Sequence, residues 1–286
     1  MSERLKGNIL VTGANRGIGL ALVQQLGETP GEEGHIYACC RDPQGPGAQA
    51  LRDLSTQCPG KITVVKLDVS DVDSISSAVQ TVSRIIGAGG LNLLINNAAI
   101  NRPETPAPLS ACGKTDMMEA YETNVVGPFL LVKMLLPLLQ KAAAMDDTVK
   151  GNTMSCSRSA IVNISTLISS IEKCPETFPI AQMYPYRTSK AALNMLTRCL
   201  AEDFRRHNIL VAAVHPGWVR TAMGGGRGFS DPPGQCGGGT QYPDVTQQQT
   251  LWDAPGLAGQ HNPLVAVTMT TTVKKMDSHL KSTCIL

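Results

Sequence analysis

The chain has 286 residues, 42% hydrophobic and 17% charged, enough for one large domain with a well-buried core. A net charge of +2, with no basic run longer than pairs such as Arg205-Arg206 and Lys274-Lys275, argues against nucleic acid or an anionic membrane as partner. Nine cysteines, with no Cys-x-x-Cys and no Cys/His spacing of a metal site, fit reduced thiols in the cytoplasm and no bound metal.

The opening "MSERLKGNILVTG" passes directly into a strand pattern, without the ordered regions of a signal peptide. From there, short apolar runs alternate with longer segments of helical period. "NILVTG" is followed by "GIGLALVQQLG", "HIYACC" by "GAQALRDL", and "ITVVKLDV" by "DSISSAVQTVSRII". Next come "LNLLINNA", the helical "YETNVVGPFLLVKMLLPLLQKAA", "SAIVNIS", a helix from Tyr186 to about His207, and "ILVAAVHPG". Strands apolar on both sides and joined by helices predict a parallel sheet covered on both faces, a doubly wound Rossmann-like α/β domain. The most apolar helical stretch, "FLLVKMLLPLL", has its apolar character interrupted by Lys133 and Pro137 and is too short to span a bilayer. From Gly224 the chain turns rich in Gly, Pro and Gln, so residues 1–223 are read as the domain and 224–286 as an atypical tail.

Ligands of such sheets bind outside the carboxyl ends of the strands, and two stretches there carry chemistry. "TGANRGIG" places Gly13, Asn15, Arg16, Gly17, Ile18 and Gly19 between the first strand and its helix. Glycines let the backbone turn tightly and approach a ligand, and the helix start offers free N–H groups to a pyrophosphate. The second strand ends "ACCRDP", which puts Arg41 where, with Arg16, it would bind the 2′-phosphate of NADP(H). A shift of one residue would put Asp42 there and favour NAD(H).

"MYPYRTSKAAL" contains two tyrosines and one lysine. On a helix, residues four apart share a face, so Tyr186 rather than Tyr184 stacks with Lys190. A cation held within ~4–6 Å favours a phenolate and draws the phenol toward the working range of an acid.

"TGANRGIG", "LDV" (67–69), "INNAAI" (95–100), "TNVVGP" (123–128), "IVNIST" (161–166), "YRTSK" (186–190) and "HPGWVRT" (215–221) follow one another as in the short-chain dehydrogenase/reductase family. The chain resembles this family over residues 8 to 226, and within it the carbonyl reductases of the sniffer and C-factor type. The resemblance implies an NADP(H)-dependent oxidoreductase acting on a small carbonyl or alcohol. It makes Tyr186 the general acid, Lys190 the group that lowers its pKa and holds the nicotinamide ribose, and Asn124 part of a water-mediated proton relay. It assigns Asp68 and Val69 to the adenine, and Asn96, Asn97 and Ala98 to the adenosine side. Pro216, Gly217, Val219 and Thr221 go to the nicotinamide end. Asp68 could instead cap the next turn, and Asn96 and Asn97 could serve the strand end; His215 reads as a packed histidine.

Two departures stand out. The usual serine pair at the fifth strand end is Ser165-Thr166, so the substrate-binding hydroxyl is expected on Thr166, with Ser165 as the alternative. The tail replaces the substrate-covering loop, helix and edge strand of the relatives, which would leave a sheet edge unpaired. A dinucleotide-binding protein with little or no turnover is therefore the alternative function. A homodimer is compatible with either reading.

Overall fold

The structure, a computed structural model, describes residues 7–28, 34–145, 156 and 158–217. Val219, Thr221, the tail from Gly224 and everything expected of them lie outside the described residues. Six parallel strands form one sheet: β1 (Gly7–Thr12), β2 (Gly34–Cys40), β3 (Ile62–Lys66), β4 (Leu91–Asn96), β5 (Ala160–Ile164) and β6 (Leu210–Val214). Their order is β3-β2-β1-β4-β5-β6, so the winding reverses between β1 and β4, and β6 is an edge among the described residues. This is the doubly wound Rossmann-like domain that the alternation predicts.

The helices are α1 (Gly17–Glu28), α2 (Gln49–Gln57), α3 (Val72–Ile86), α4 (Lys114–Tyr121), α5 (Gly127–Met145), the short α6 (Cys174–Thr177) and α7 (Tyr184–Phe204). Alternation along the strands sorts two cores. Ile9, Val11, Ile36 and Ala38 face Leu22, Val23 and Leu51 of α1 and α2. Leu10, Tyr37, Leu94 and Ile161 face Ile75 and Val82 of α3, Leu131, Leu135 and Leu139 of α5, and Leu200 and Phe204 of α7.

Two segments differ from the sequence reading. "ITVVKLDV" is strand only to Lys66, so Asp68 and Val69 lie in the turn beyond it. The α5 helix passes through Lys133 and Pro137, as one helical segment should, but the helical run to which it belongs, Lys114–Met145, is longer than the apolar stretch read from the sequence. A proline inside a helix costs about 3 kcal/mol, but burying each of Leu131, Leu135 and Leu139 returns roughly 1.5–3 kcal/mol, so packing outweighs the missing N–H. The run Lys114–Met145 is thus long and apolar enough to cross a membrane by composition, though these leucines pack on the sheet.

The feature that fixes the end of β5 is the inner face of α7. Arg187, Lys190, Asn194 and Thr197 recur at i, i+3, i+7 and i+10, the helical spacing of one face, and all four are buried. Polar groups persist inside only when partnered, and each of these has partners. Asn163 Nδ2 donates to Thr197 Oγ1 at 2.8 Å, while Asn96 Nδ2 donates to Asn163 Oδ1 at 2.8 Å, which links β4, β5 and α7. Ser165 Oγ donates to Asn194 Oδ1 at 2.6 Å, and Lys190 Nζ to the Ile164 carbonyl at 2.6 Å.

Replacing Thr197 by Val keeps the volume and strands the buried Asn163 amide donor. We predict a loss of about 1–3 kcal/mol in urea unfolding. Thr188→Val, at an exposed position of the same helix, is expected to change stability by less than about 0.5 kcal/mol.

Candidate active site

All strands being parallel, their carboxyl ends lie along one side of the sheet and carry the predicted residues together. The turn after β1 is built from inside. Thr12 Oγ1 accepts from the Asn97 and Ala98 N–H groups, each at 3.0 Å, and Asn97 Nδ2 donates to the carbonyls of Thr12 (2.9 Å) and Gly13 (3.1 Å). A Cβ on Gly13, whose φ is +64°, would lie 2.9 Å from Ala98 Cα, and one on Gly19 would lie 2.2 Å from the Gly13 carbonyl oxygen. The turn therefore closes with bare backbone at the start of α1, where Gly17 also has positive φ and Ile18 completes the first turn. Such a surface fits a pyrophosphate. Asn96 and Asn97 hold the strand ends together with their amides, the structural role left open for them.

Arg16 and Arg41 are both exposed beside this turn, and Arg41 directly follows β2. Asp42 Oδ1 accepts from the Gly45 N–H at 2.9 Å, so the carboxylate belongs to the next turn and Arg41 holds the strand-end position. Asn15 Nδ2 donates to the Gly47 carbonyl at 3.1 Å and joins the same two loops. Asp68 Oδ1 accepts from Ser70 N–H and Oγ, whereas the cap of α3 is Asp71, which accepts from Asp73 and Ser74. Val69 packs under the start of α5, where a Cβ on Gly127 would lie 2.3 Å from its carbonyl oxygen.

Tyr186 lies in the first turn of α7, part-buried, with the Lys190 Nζ 5.7 Å from its ring centroid. Tyr184 instead packs edge-on against Phe178 at 5.2 Å, so of the two phenols it is Tyr186 that shares a face with Lys190. The electrostatics correct the sequence reading. Burial pushes Tyr186 up to about 12 and Lys190 down to about 7. Desolvation favours both neutral forms, and at this distance it outweighs the pull of the cation on the phenol.

Asn124 occupies a π-helical turn, Glu122–Val126, between α4 and α5. Single π turns recur at functional sites. Its side chain is fully engaged: Oδ1 accepts from Ile100 N–H at 2.9 Å, while Nδ2 donates to the Ile100 carbonyl at 2.9 Å and to Ser189 Oγ at 3.0 Å. Ser189 Oγ donates in turn to the Tyr186 carbonyl at 2.8 Å. The amide of Asn124 thus clamps the loop after β4 onto the Tyr186 helix and has no donor left for a water relay.

Beyond β5, Ser165 is buried and bound to Asn194, whereas Thr166 is part-exposed. The hydroxyl that faces outward is therefore threonine, and Ser165 is a structural partner. The Thr166 carbonyl accepts from Ser169 N–H and Oγ, and Asn194 Nδ2 donates to Ser169 Oγ at 2.9 Å, so the turn carrying Thr166 is tied to α7. At the end of β6, Pro216 is buried and Gly217 has φ of +81°; burial holds His215 down at about 4, a packed neutral ring as expected. Thr12, Ser189 and Asn194 were not singled out from sequence. Only Asn194 carried a signal, standing four residues after Lys190 on one helical face.

A lysine whose folded pKa is depressed binds fewer protons than the unfolded chain between about 7 and 10.5, so this group adds stability as pH rises through that window. The Tyr186 phenol acts oppositely from about 10 upward, as does the Cys39 thiol from about 9. We predict that the stability of the wild type relative to Lys190→Met increases from pH 7 to 10 in urea titrations; parallel curves would contradict a buried, readily neutralised Lys190.

Known proteins carry the same organisation. A family model described as short chain dehydrogenase matches residues 7–228. A carbonyl reductase from chicken fatty liver, solved with NADPH bound, is 43% identical, with a TM-score of 0.71 over 78% of this chain and 83% of that one. The carbonyl reductase Sniffer of Drosophila melanogaster is 34% identical, with a TM-score of 0.68 over 78% and 84%. A short-chain dehydrogenase of Penicillium roqueforti is 32% identical over 228 residues, 80% of this chain and 84% of its own length. With its parallel sheet, glycine turn and Tyr186-Lys190 helix, this chain belongs to the short-chain dehydrogenase family and is an oxidoreductase.

Proposed function

We propose that the protein transfers a hydride between NADP(H) and a small carbonyl or alcohol, with Tyr186 as general acid and base. The observation that carries this reading is placement: the glycine turn, Arg41 and Thr166 follow β1, β2 and β5 at the carboxyl ends of the parallel strands, on either side of the point where the winding reverses, and Lys190 beside Tyr186 is bonded to the end of β5. The dinucleotide supplies the hydride when bound. Gly13 to Gly19 would hold its pyrophosphate, and Arg16 and Arg41 its 2′-phosphate. Asp68 and Val69 would hold the adenine, Asn96 to Ala98 the adenosine side, and Pro216, Gly217, Val219 and Thr221 the nicotinamide end.

The Tyr186 phenol, neutral at physiological pH, keeps a proton ready for the carbonyl oxygen. Thr166 donates a second hydrogen bond to the same oxygen as negative charge builds on it. Lys190, neutralised near pH 7 by burial, becomes cationic below that value and then favours the phenolate. With its amide engaged, Asn124 serves the proton relay only through its backbone in the π turn.

The test is NADPH oxidation by the purified full chain with cyclohexanone, nitrobenzaldehyde and naphthoquinone. We expect turnover on at least one of them, lowered by ~10²–10⁴-fold in Tyr186→Phe and by about 10²-fold in Thr166→Ala. NADPH binding without oxidation would support the dinucleotide-binding alternative instead. Arg41→Asp is expected to shift preference from NADPH to NADH, read as the ratio of kcat/KM for the two; an unchanged ratio contradicts the assignment of the 2′-phosphate.

A further inference from the structure

Between Thr166 and the first turn of α7 runs a segment that borders both the substrate-facing hydroxyl and Tyr186. It comprises a turn at Leu167–Ser169, the short α6 and a stretch up to Met183. Beyond the Ser169 turn that Asn194 holds, one side chain makes four hydrogen bonds to it. Arg187, one residue past Tyr186 and only 6% exposed, turns its guanidinium into the segment. Nε donates to the Ala181 carbonyl at 2.8 Å, Nη1 to the Ile168 carbonyl and to Thr177 Oγ1, both at 2.9 Å, and Nη2 to the Thr177 carbonyl at 2.6 Å. Its guanidinium carbon Cζ also lies 5.5 Å from the Phe178 ring centroid, and Phe178 meets Tyr184 edge-on.

Every acceptor here is a carbonyl or hydroxyl, and no carboxylate contributes to the bonds that hold this cation. A buried guanidinium is expensive to desolvate, so a simple loop staple would be better served by neutral groups. What arginine offers is a rigid planar fork whose donors fix several points of the segment at once, which the single ammonium of lysine cannot do. The tether reaches further, because the Gln182 carbonyl accepts from Ala107 N–H at 2.8 Å and so couples the segment to the loop that follows β4.

We propose that Arg187 is a positioning residue for substrate: by pinning residues 168–181 to the Tyr186 end of α7, it fixes the pocket wall and sets how tightly a carbonyl compound is held. Resting on the hydride-transfer reading above, this adds a residue that touches neither cofactor nor reacting atoms. Arg187→Lys keeps the charge and the stem but loses the fork, and Arg187→Met tests removal of the charge.

The experiment combines steady-state NADPH oxidation with nitrobenzaldehyde and amide hydrogen exchange of the full chain. Losing two or more bonds to a charged donor predicts a rise of ~10-fold or more in KM for nitrobenzaldehyde in Arg187→Lys, with kcat and KM for NADPH within about threefold. Faster exchange confined to residues 168–183 should accompany it, with the sheet unchanged. Wild-type KM and exchange in Arg187→Lys overturn the inference. So do equal losses in kcat and in affinity for both substrates alongside general destabilisation, the signature of a purely structural role. Absence of turnover on every carbonyl in the wild type brings down the reading of function and this inference with it. Turnover with an indifferent Arg187→Lys brings down this inference alone.

Discussion

The buried polar face of α7 is the constraint on which the site depends. Apolar packing places a helix over a sheet to within a choice of rotations and slides, because dispersion and burial are not directional. Thr197, Asn194 and Lys190 remove that freedom. Each is bonded to a successive point from Asn163 to Ser165 and on to Ser169, and a slip of one residue would leave several buried polar groups without partners. A network with this many mutual partners specifies one register, and that register carries Lys190, and Tyr186 beside it, to the end of β5.

The same burial shapes the chemistry. Lys190 and Tyr186 are both drawn toward their neutral forms, one from above and one from below, so the acid keeps its proton while the lysine stands near its midpoint at physiological pH. A neighbouring cation taken alone would lower the phenol's pKa. Desolvation dominates instead, because the ammonium is bonded to the Ile164 carbonyl rather than to the phenol oxygen and lies 5.7 Å from the ring.

Much of the fold is legible in the sequence, since strands such as "NILVTG" and "LNLLINNA" are apolar on both sides and only a doubly covered parallel sheet uses them. The glycine turn and the choice of Tyr186 over Tyr184 are legible for the same reason: backbone access and the four-residue repeat are local rules. What escaped is decided by tertiary partners. Arg187, Asn194 and Thr197 carry no signal of burial in the sequence, since only Asn163, Ser165 and the 168–181 segment, once in place, satisfy them. Arg41 and Asp42 stand one residue apart at a strand end whose exact position the sequence does not fix, and a single hydrogen bond from Gly45 to Asp42 separates them.

The central claim, that α7 holds the end of β5 through its polar face, is tested most directly by native-state hydrogen exchange on Asn194→Ala beside the wild type. Removing Asn194 severs the bonds to Ser165 and Ser169, so the account predicts a selective loss of protection at the amides of residues 165–170, with β1, β2 and β4 unaffected. Protection unchanged in that stretch, or lost evenly through the whole sheet, would contradict it.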